Sequence, residues 1–129
     1  MSHGSFATVI NCMDGRVQEP VIAWMKQRYG VQYVDSITEP GPILILADNR
    51  DLQTIESMRH RTDISVNKHG SHAVAVVSHY DCAGNPVGKD AQMVQLGAAI
   101  ARVKSWGFGV DVQGLWVDEN WQTYPVAFD

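Results

Sequence analysis

Cysteine is scarce here, with two in 129 residues, Cys12 and Cys82. A fold stapled by disulfides carries them densely, so that class is excluded. Long hydrophobic runs are missing as well. The longest, Ile43 to Ala47 and Ala73 to Val77, fall far short of the roughly 20 apolar residues that a membrane-crossing helix needs. The opening Met-Ser-His-Gly-Ser-Phe lacks a positive region leading into an apolar stretch. No secretory signal is therefore expected, and the cytoplasm is the expected compartment. Basic charge is also short. Ten Lys+Arg stand against fourteen Asp+Glu, a net charge of −4 with no basic run or stripe, which argues against a protein that tracks nucleic-acid phosphates. Internal repeats, linkers and low-complexity stretches are absent, and Gly84-Asn85-Pro86 lacks the pattern of a phosphate-binding loop.

What is present suits a single domain over residues 1–129. A chain of 14.3 kDa, 45% hydrophobic, hides roughly two-thirds of its unfolded surface on folding, so a core forms without staples. Phe6 to Cys12 reads as a buried strand and Arg16 to Tyr29 as a helix, with Pro20 near its start and Gly30 after its end. Val31 to Ile37 is a second strand, running into the breaker cluster Glu39-Pro40-Gly41-Pro42. Ile43 to Ala47 fits either a short strand or a buried helix. Asp48 or Asn49 is placed to cap a helix reaching about His69, with Leu52, Ile55, Arg59, Thr62 and Val66 along one side and Gly70 ending it. Ala73 to Ser78 is continuously apolar, the mark of a central strand covered on both faces. Asn85 to Trp106 is the next helix, Val110 to Val117 a fourth strand, and the residues from Asp118 an edge or a partner-contacting tail.

Alternating strands and helices imply an α/β fold, a small, mainly parallel sheet of about four to five strands flanked by helices. In such sheets ligands gather at the carboxyl ends of strands, where the strand order reverses. Both cysteines fall at such ends. Cys12 closes the first strand within Cys12-Met13-Asp14-Gly15-Arg16, and Cys82 follows the central strand within His79-Tyr80-Asp81-Cys82. If the strands are neighbours, two thiols and one imidazole converge. Zinc takes both donor types, and a set of three protein ligands leaves the fourth tetrahedral position open for water, the catalytic pattern. The start of the helix near Asn85 offers N–H groups to the Cys82 thiolate. Asp14 and Arg16 are spaced to form a bidentate ion pair beside the metal.

Cys-x-Asp-x-Arg on the first strand followed by His-x-x-Cys after a later one resembles the β-class carbonic anhydrases. The two motifs cover about nine positions, and the order of strands and helices is similar over most of the chain. The resemblance implies Cys12, His79 and Cys82 as zinc ligands, Asp14 with Arg16 as the catalytic dyad, and reversible hydration of carbon dioxide to bicarbonate and a proton by zinc-bound hydroxide. It also implies a homodimer or higher homo-oligomer. Asp14 either stays with Arg16 or closes the site as a fourth ligand, and both arrangements occur in the family. Departures mark a compact, divergent member. Ser78 and Ala83 stand where the family has glycines, and Glu39-Pro40-Gly41-Pro42 replaces a pocket-lining loop, so no substrate-binding residue carries over.

Rival readings keep the same site. One is hydrolysis of carbonyl sulfide or carbon disulfide on the same scaffold. Another is a zinc- or bicarbonate-binding protein without turnover, which has no need of the dyad. A redox dithiol is disfavoured because the cysteines form no Cys-x-x-Cys pair. His60, His69 and His72 read as surface residues rather than ligands. Asp81 reads as an acceptor behind the metal ligands or, preferred, a solvated loop residue, Trp106, Trp116 and Trp121 as core or interface, and Tyr80 as lining the pocket or packing behind it.

Overall fold

The computed structural model describes residues 4–128. The expected domain limits, and the first residues on which the expectation about a secretory signal rests, therefore lie partly outside the described residues, at 1–3 and 129. Five strands form one sheet: β1 (Phe6–Cys12), β2 (Tyr33–Glu39), β3 (Ala73–His79), β4 (Asp111–Val117) and β5 (Thr123–Val126), in the order β2-β1-β3-β4-β5. The first four are parallel and β5 runs antiparallel to β4. The helices are α1 (Gln18–Tyr29), α2 (Pro42–Asp48), α3 (Leu52–Asp63) and α4 (Lys89–Ser105). No helix among the described residues is long and apolar enough to cross a membrane.

The apolar run of β3 is buried along its whole length because both faces are covered. Val74 and Val76 face a core shared with Ile10, Leu46, Met58, Leu96 and Ile100, built from α2, α3 and α4. Ala75 and Val77 face the opposite core, with Val9, Val21, Met25 and Leu115, built largely from α1. Placing β2 and β3 on either side of β1 reverses the winding there, so a crevice opens at the carboxyl ends of β1 and β3.

Several boundaries differ from the sequence reading, each for a local reason. Helix α1 begins at Gln18, because Asp14 accepts the Arg16 N–H and caps a separate 3-10 turn over Gly15–Val17. Strand β2 lies two residues later than expected, paired from Tyr33 to Glu39 with β1. Ile43–Ala47 is helical, with Pro42 supplying a first-turn φ. Asn49 does not cap α3; its left-handed backbone closes α2, and Asp51 caps α3 by accepting from the Thr54 N–H. The buried stripe of α3 is accordingly Ile55, Met58 and Thr62, while Leu52 is exposed. Helix α4 starts at Lys89 rather than Asn85, because Pro86 steers the preceding residue away from helical backbone. The residues after Asp118 turn back as β5, an edge strand blunted by Pro125.

Candidate metal centre

Strand β1 ends in a buried Asn11 whose side chain holds the exit of the chain. Its Oδ1 accepts the Cys12 N–H at 2.8 Å, and its Nδ2 donates to the Val17 carbonyl at 3.1 Å. Gln18 Nε2 donates to the carbonyls of Cys12 and Asp14. Strand β3 ends in His79, itself fixed by Gln92 of α4, which accepts the His79 N–H at 3.2 Å and donates to its carbonyl at 2.8 Å. Polar side chains thus replace ladder partners where the strands run out.

The crevice brings Cys12, His79 and Cys82 together, all three buried, with one ligand atom from each lying within 4.8 Å of the others. The two sulfurs are 3.9 Å apart. Tetrahedral zinc with about 2.3 Å bonds to sulfur spaces two thiolates about 3.8 Å apart. His79 Nδ1 donates to the Tyr80 carbonyl at 2.7 Å, which fixes the tautomer and leaves an Nε2 lone pair. That Nε2 is buried and makes no hydrogen bond. A buried acceptor without a donor is costly, and a cation in this crevice removes the deficit. The donor set therefore fits a metal.

Electrostatics favour the same occupant. In the metal-free protein Cys82 donates to Cys12, which pulls the Cys12 thiol far below its ordinary range and holds Cys82, further desolvated by burial, above it. Backbone N–H groups of Gly41 and Asp14 stabilise a Cys12 thiolate, and those of Gly84 and Asn85 a Cys82 thiolate. These donors come from loops and a turn, not from the start of α4. Burial weighs against an imidazolium at His79, but the Cys12 sulfur and the Tyr80 carbonyl outweigh it and raise its pKa.

The loop Glu39-Pro40-Gly41-Pro42 is locked onto the turn that follows Cys82. A Cβ on Gly84 would lie 2.6 Å from the Pro40 carbonyl carbon, and one on Gly41 would lie 2.9 Å from the backbone of Gly84. Gly41 also has φ of +64°, a conformation that favours glycine. The Arg61–Glu39 ion pair at 2.6 Å anchors the near end of this loop from α3.

Asp14 sits beside this cluster without being among its converging ligand atoms. Arg16 binds its carboxylate through Nη2 at 2.6 Å and Nε at 3.0 and 3.2 Å. The Arg16 guanidinium holds the Asp14 carboxyl down to about 2. Asp81 keeps an exposed side chain, as expected of a solvated loop residue, and its carboxylate and carbonyl also accept from Arg16, at 3.3 and 3.1 Å. Trp121 lies with its ring 4.4 Å from the guanidinium carbon. Sequence reasoning missed Trp121 and Gln92 as site residues. Gln92 left a signal, a polar residue at a buried helical position in line with Leu96, Ala99 and Val103, whereas nothing in the sequence ties Trp121 to Arg16.

The remaining candidates lie elsewhere. His60 and His72 are exposed. His69 is half-buried at the amino end of the sheet, its Nδ1 2.6 Å from Asp35 and its ring stacked on Phe6. Trp116 is buried, and Trp106 packs edge-on against Phe108. Tyr80 is exposed and lines a 920 Å³ groove behind His79, floored by Trp116 and Met93.

An α/β sheet of this order, with two cysteine sulfurs and an imidazole at the β1–β3 crevice, defines a β-carbonic-anhydrase-like protein. A family model described as "Putative carbonic anhydrase" matches residues 2–127, and the chain belongs to that family as a divergent member. Among solved structures, β-carbonic anhydrase isoform I of Trichomonas vaginalis is similar, with a TM-score of 0.59, 13% identity, and 92% of this chain and 80% of that one covered. A chain from the structures of two tetrameric β-carbonic anhydrases of the ascomycete Sordaria macrospora gives a TM-score of 0.52 at 13% identity, covering 99% of this chain and 83% of that one. No curated protein matches.

Proposed function

We propose that this chain is a zinc enzyme that reversibly hydrates carbon dioxide to bicarbonate and a proton, with residues 1–129 as one working domain. The buried, unpartnered Nε2 of His79, facing two sulfurs 3.9 Å apart, carries the reading. Cys12, His79 and Cys82 would hold the ion. Zinc supplies the Lewis acidity that brings the pKa of a bound water toward about 7.

The chain's own residues do the rest. N–H groups of Gly41, Asp14, Gly84 and Asn85 spread the thiolate charge. Asp14, kept ionised by Arg16, would serve as a hydrogen-bond acceptor that orients a water beside the ion. Arg16 holds that carboxylate in place by binding it from the side. A purely structural metal site has no use for this second ion pair. Two free cysteines suit a reducing compartment such as the cytoplasm. Exposed Met13 and Tyr80 near the crevice suit burial against another copy in a homodimer or larger assembly.

The test is zinc content by mass spectrometry together with stopped-flow carbon dioxide hydration, for the wild type and Asp14→Ala. Stoichiometric zinc with hydration lost in Asp14→Ala is expected. Stoichiometric zinc with no wild-type hydration at alkaline pH would overturn the enzyme reading. Faster turnover of carbonyl sulfide or carbon disulfide would reassign the substrate.

A further inference from the structure

Three non-glycine residues among those described have left-handed backbone: Asn49, Asp81 and Trp121. Asn49 has a plain reason, since it ends α2 with a residue type that tolerates this conformation. The other two belong to separate segments, the turn after β3 and the turn between β4 and β5. Both touch the same side chain, Arg16.

Left-handed backbone at a tryptophan is unusual, and such outliers persist where the surroundings enforce them. Here the surroundings are identifiable. Asp118 Oδ1 accepts the N–H groups of Asn120 and Gln122 at 2.9 and 3.0 Å, and the Trp121 N–H donates to the Asp118 carbonyl at 3.0 Å. The β4–β5 turn is therefore wound to project Trp121, whose ring lies 4.4 Å from the Arg16 guanidinium carbon. Asp81 receives two donors from Arg16, one on its carboxylate and one on its carbonyl. With Nε and Nη2 on Asp14, the guanidinium is engaged along its edges and on one face.

We propose that Asp81 and Trp121 are positioning residues that clamp Arg16 and thereby keep Asp14 off the metal. The inference rests on the zinc reading above and goes a step further. A centre with three protein ligands has one open position, and a carboxylate two residues beyond Cys12 is the ready donor to close it. Asp14 stays with Arg16 only while Arg16 stays still. Its aspartate neighbour and its stacking partner both come from beyond β3, so the open state of the centre is set by chain segments far from Asp14 in sequence.

The test uses cobalt(II)-loaded protein and azide, which binds an open metal position and perturbs the visible spectrum. Replacing both Asp81→Gly and Trp121→Gly suits the left-handed positions, so the turns keep their backbone while the carboxylate and ring are lost. A cation–π contact biases an equilibrium by about 2- to 30-fold. The paired replacement is expected to weaken azide binding at least fivefold when Asp14 is present. In the Asp14→Ala background, where no carboxylate can close the centre, it is expected to leave azide affinity unchanged. Azide affinity within twofold of the parent, or an equal fall in both backgrounds, overturns the clamp. Should the paired variant not fold, each single glycine replacement carries the same comparison with at least a twofold fall expected. A wild type that takes up no cobalt overturns the zinc reading itself, an outcome distinct from an open centre that ignores the clamp.

Discussion

Gly84→Ala probes the contact that holds the crevice shut from the loop side. The new methyl would fall 2.6 Å from the Pro40 carbonyl carbon, 2.8 Å from its oxygen and 2.9 Å from the Gly41 nitrogen. All three are backbone atoms, so no flexible side chain can yield. Relief requires the Pro40-Gly41 segment to retreat by about 0.8 Å to reach ordinary contact, and overpacking of this kind costs about 1–3 kcal/mol. For a domain of this size that is a fall in melting temperature of about 3–5 °C per kcal/mol. The retreat also withdraws the Gly41 N–H from Cys12, and loss of an outer-shell contact of this kind lowers metal affinity about 10- to 100-fold. Differential scanning calorimetry of the metal-free protein and competitive zinc titration measure the two effects separately. An unchanged melting temperature refutes the clasp. A lower melting temperature with unchanged zinc affinity refutes the role of Gly41 at Cys12. Gly41→Ala meets the same backbone and adds the strain of a side chain at φ +64°, so its effect is expected to be the larger.

Cys82→Ala and His79→Ala are expected to lose stoichiometric zinc, measured by mass spectrometry, because each removes a third of the ligand set. Asp14 is held near pKa 2 by Arg16 against an ordinary 3.8. A depressed folded-state pKa means that its contribution to stability is present above about pH 4 and lost as pH falls through about 2. Urea denaturation of the metal-free protein from pH 7 to 2 is accordingly expected to show Asp14→Asn less stable at pH 7, with the gap closing at the acid end. A gap that stays constant with pH refutes the ion pair. Tyr29 is pushed up to about 12 by burial and by its hydrogen bond to Asp111 at 2.8 Å. The raised pKa makes its stabilisation complete below pH 10 and lost as pH rises through 12. Tyr29→Phe should therefore flatten the alkaline limb of the stability profile, and an unaltered limb rules this out.

Much of the centre was legible because short-range chemistry wrote it. Cys12 and Asp14 follow a β-branched run, and His79 and Cys82 follow the most apolar stretch of the chain, so a parallel sheet alone sets all of them at its carboxyl edge. Boundaries were less legible where competing caps lay close together. Asp48 or Asn49 was the expected start of α3, but the chain's reversal at Asn49 leaves Asp51 to cap it. Pro86 was the signal that α4 starts late. The contact between Asp81 and Arg16 was not legible because the two lie 65 residues apart.

By itself the sequence determined the strand–helix alternation, the candidate donor types and the Asp14–Arg16 spacing, since periodicity and donor chemistry are local properties. Which strands adjoin is a property of the whole sheet. The order β2-β1-β3 brings sulfurs from positions 12 and 82 to 3.9 Å and turns His79 so that one nitrogen is spent on Tyr80 and the other is left without a partner. The packing of Gly41 on Gly84 and of Trp121 on Arg16 joins segments that share no local pattern. Only tertiary structure decides those contacts, because they depend on where the backbone is carried and not on what any window of residues prefers.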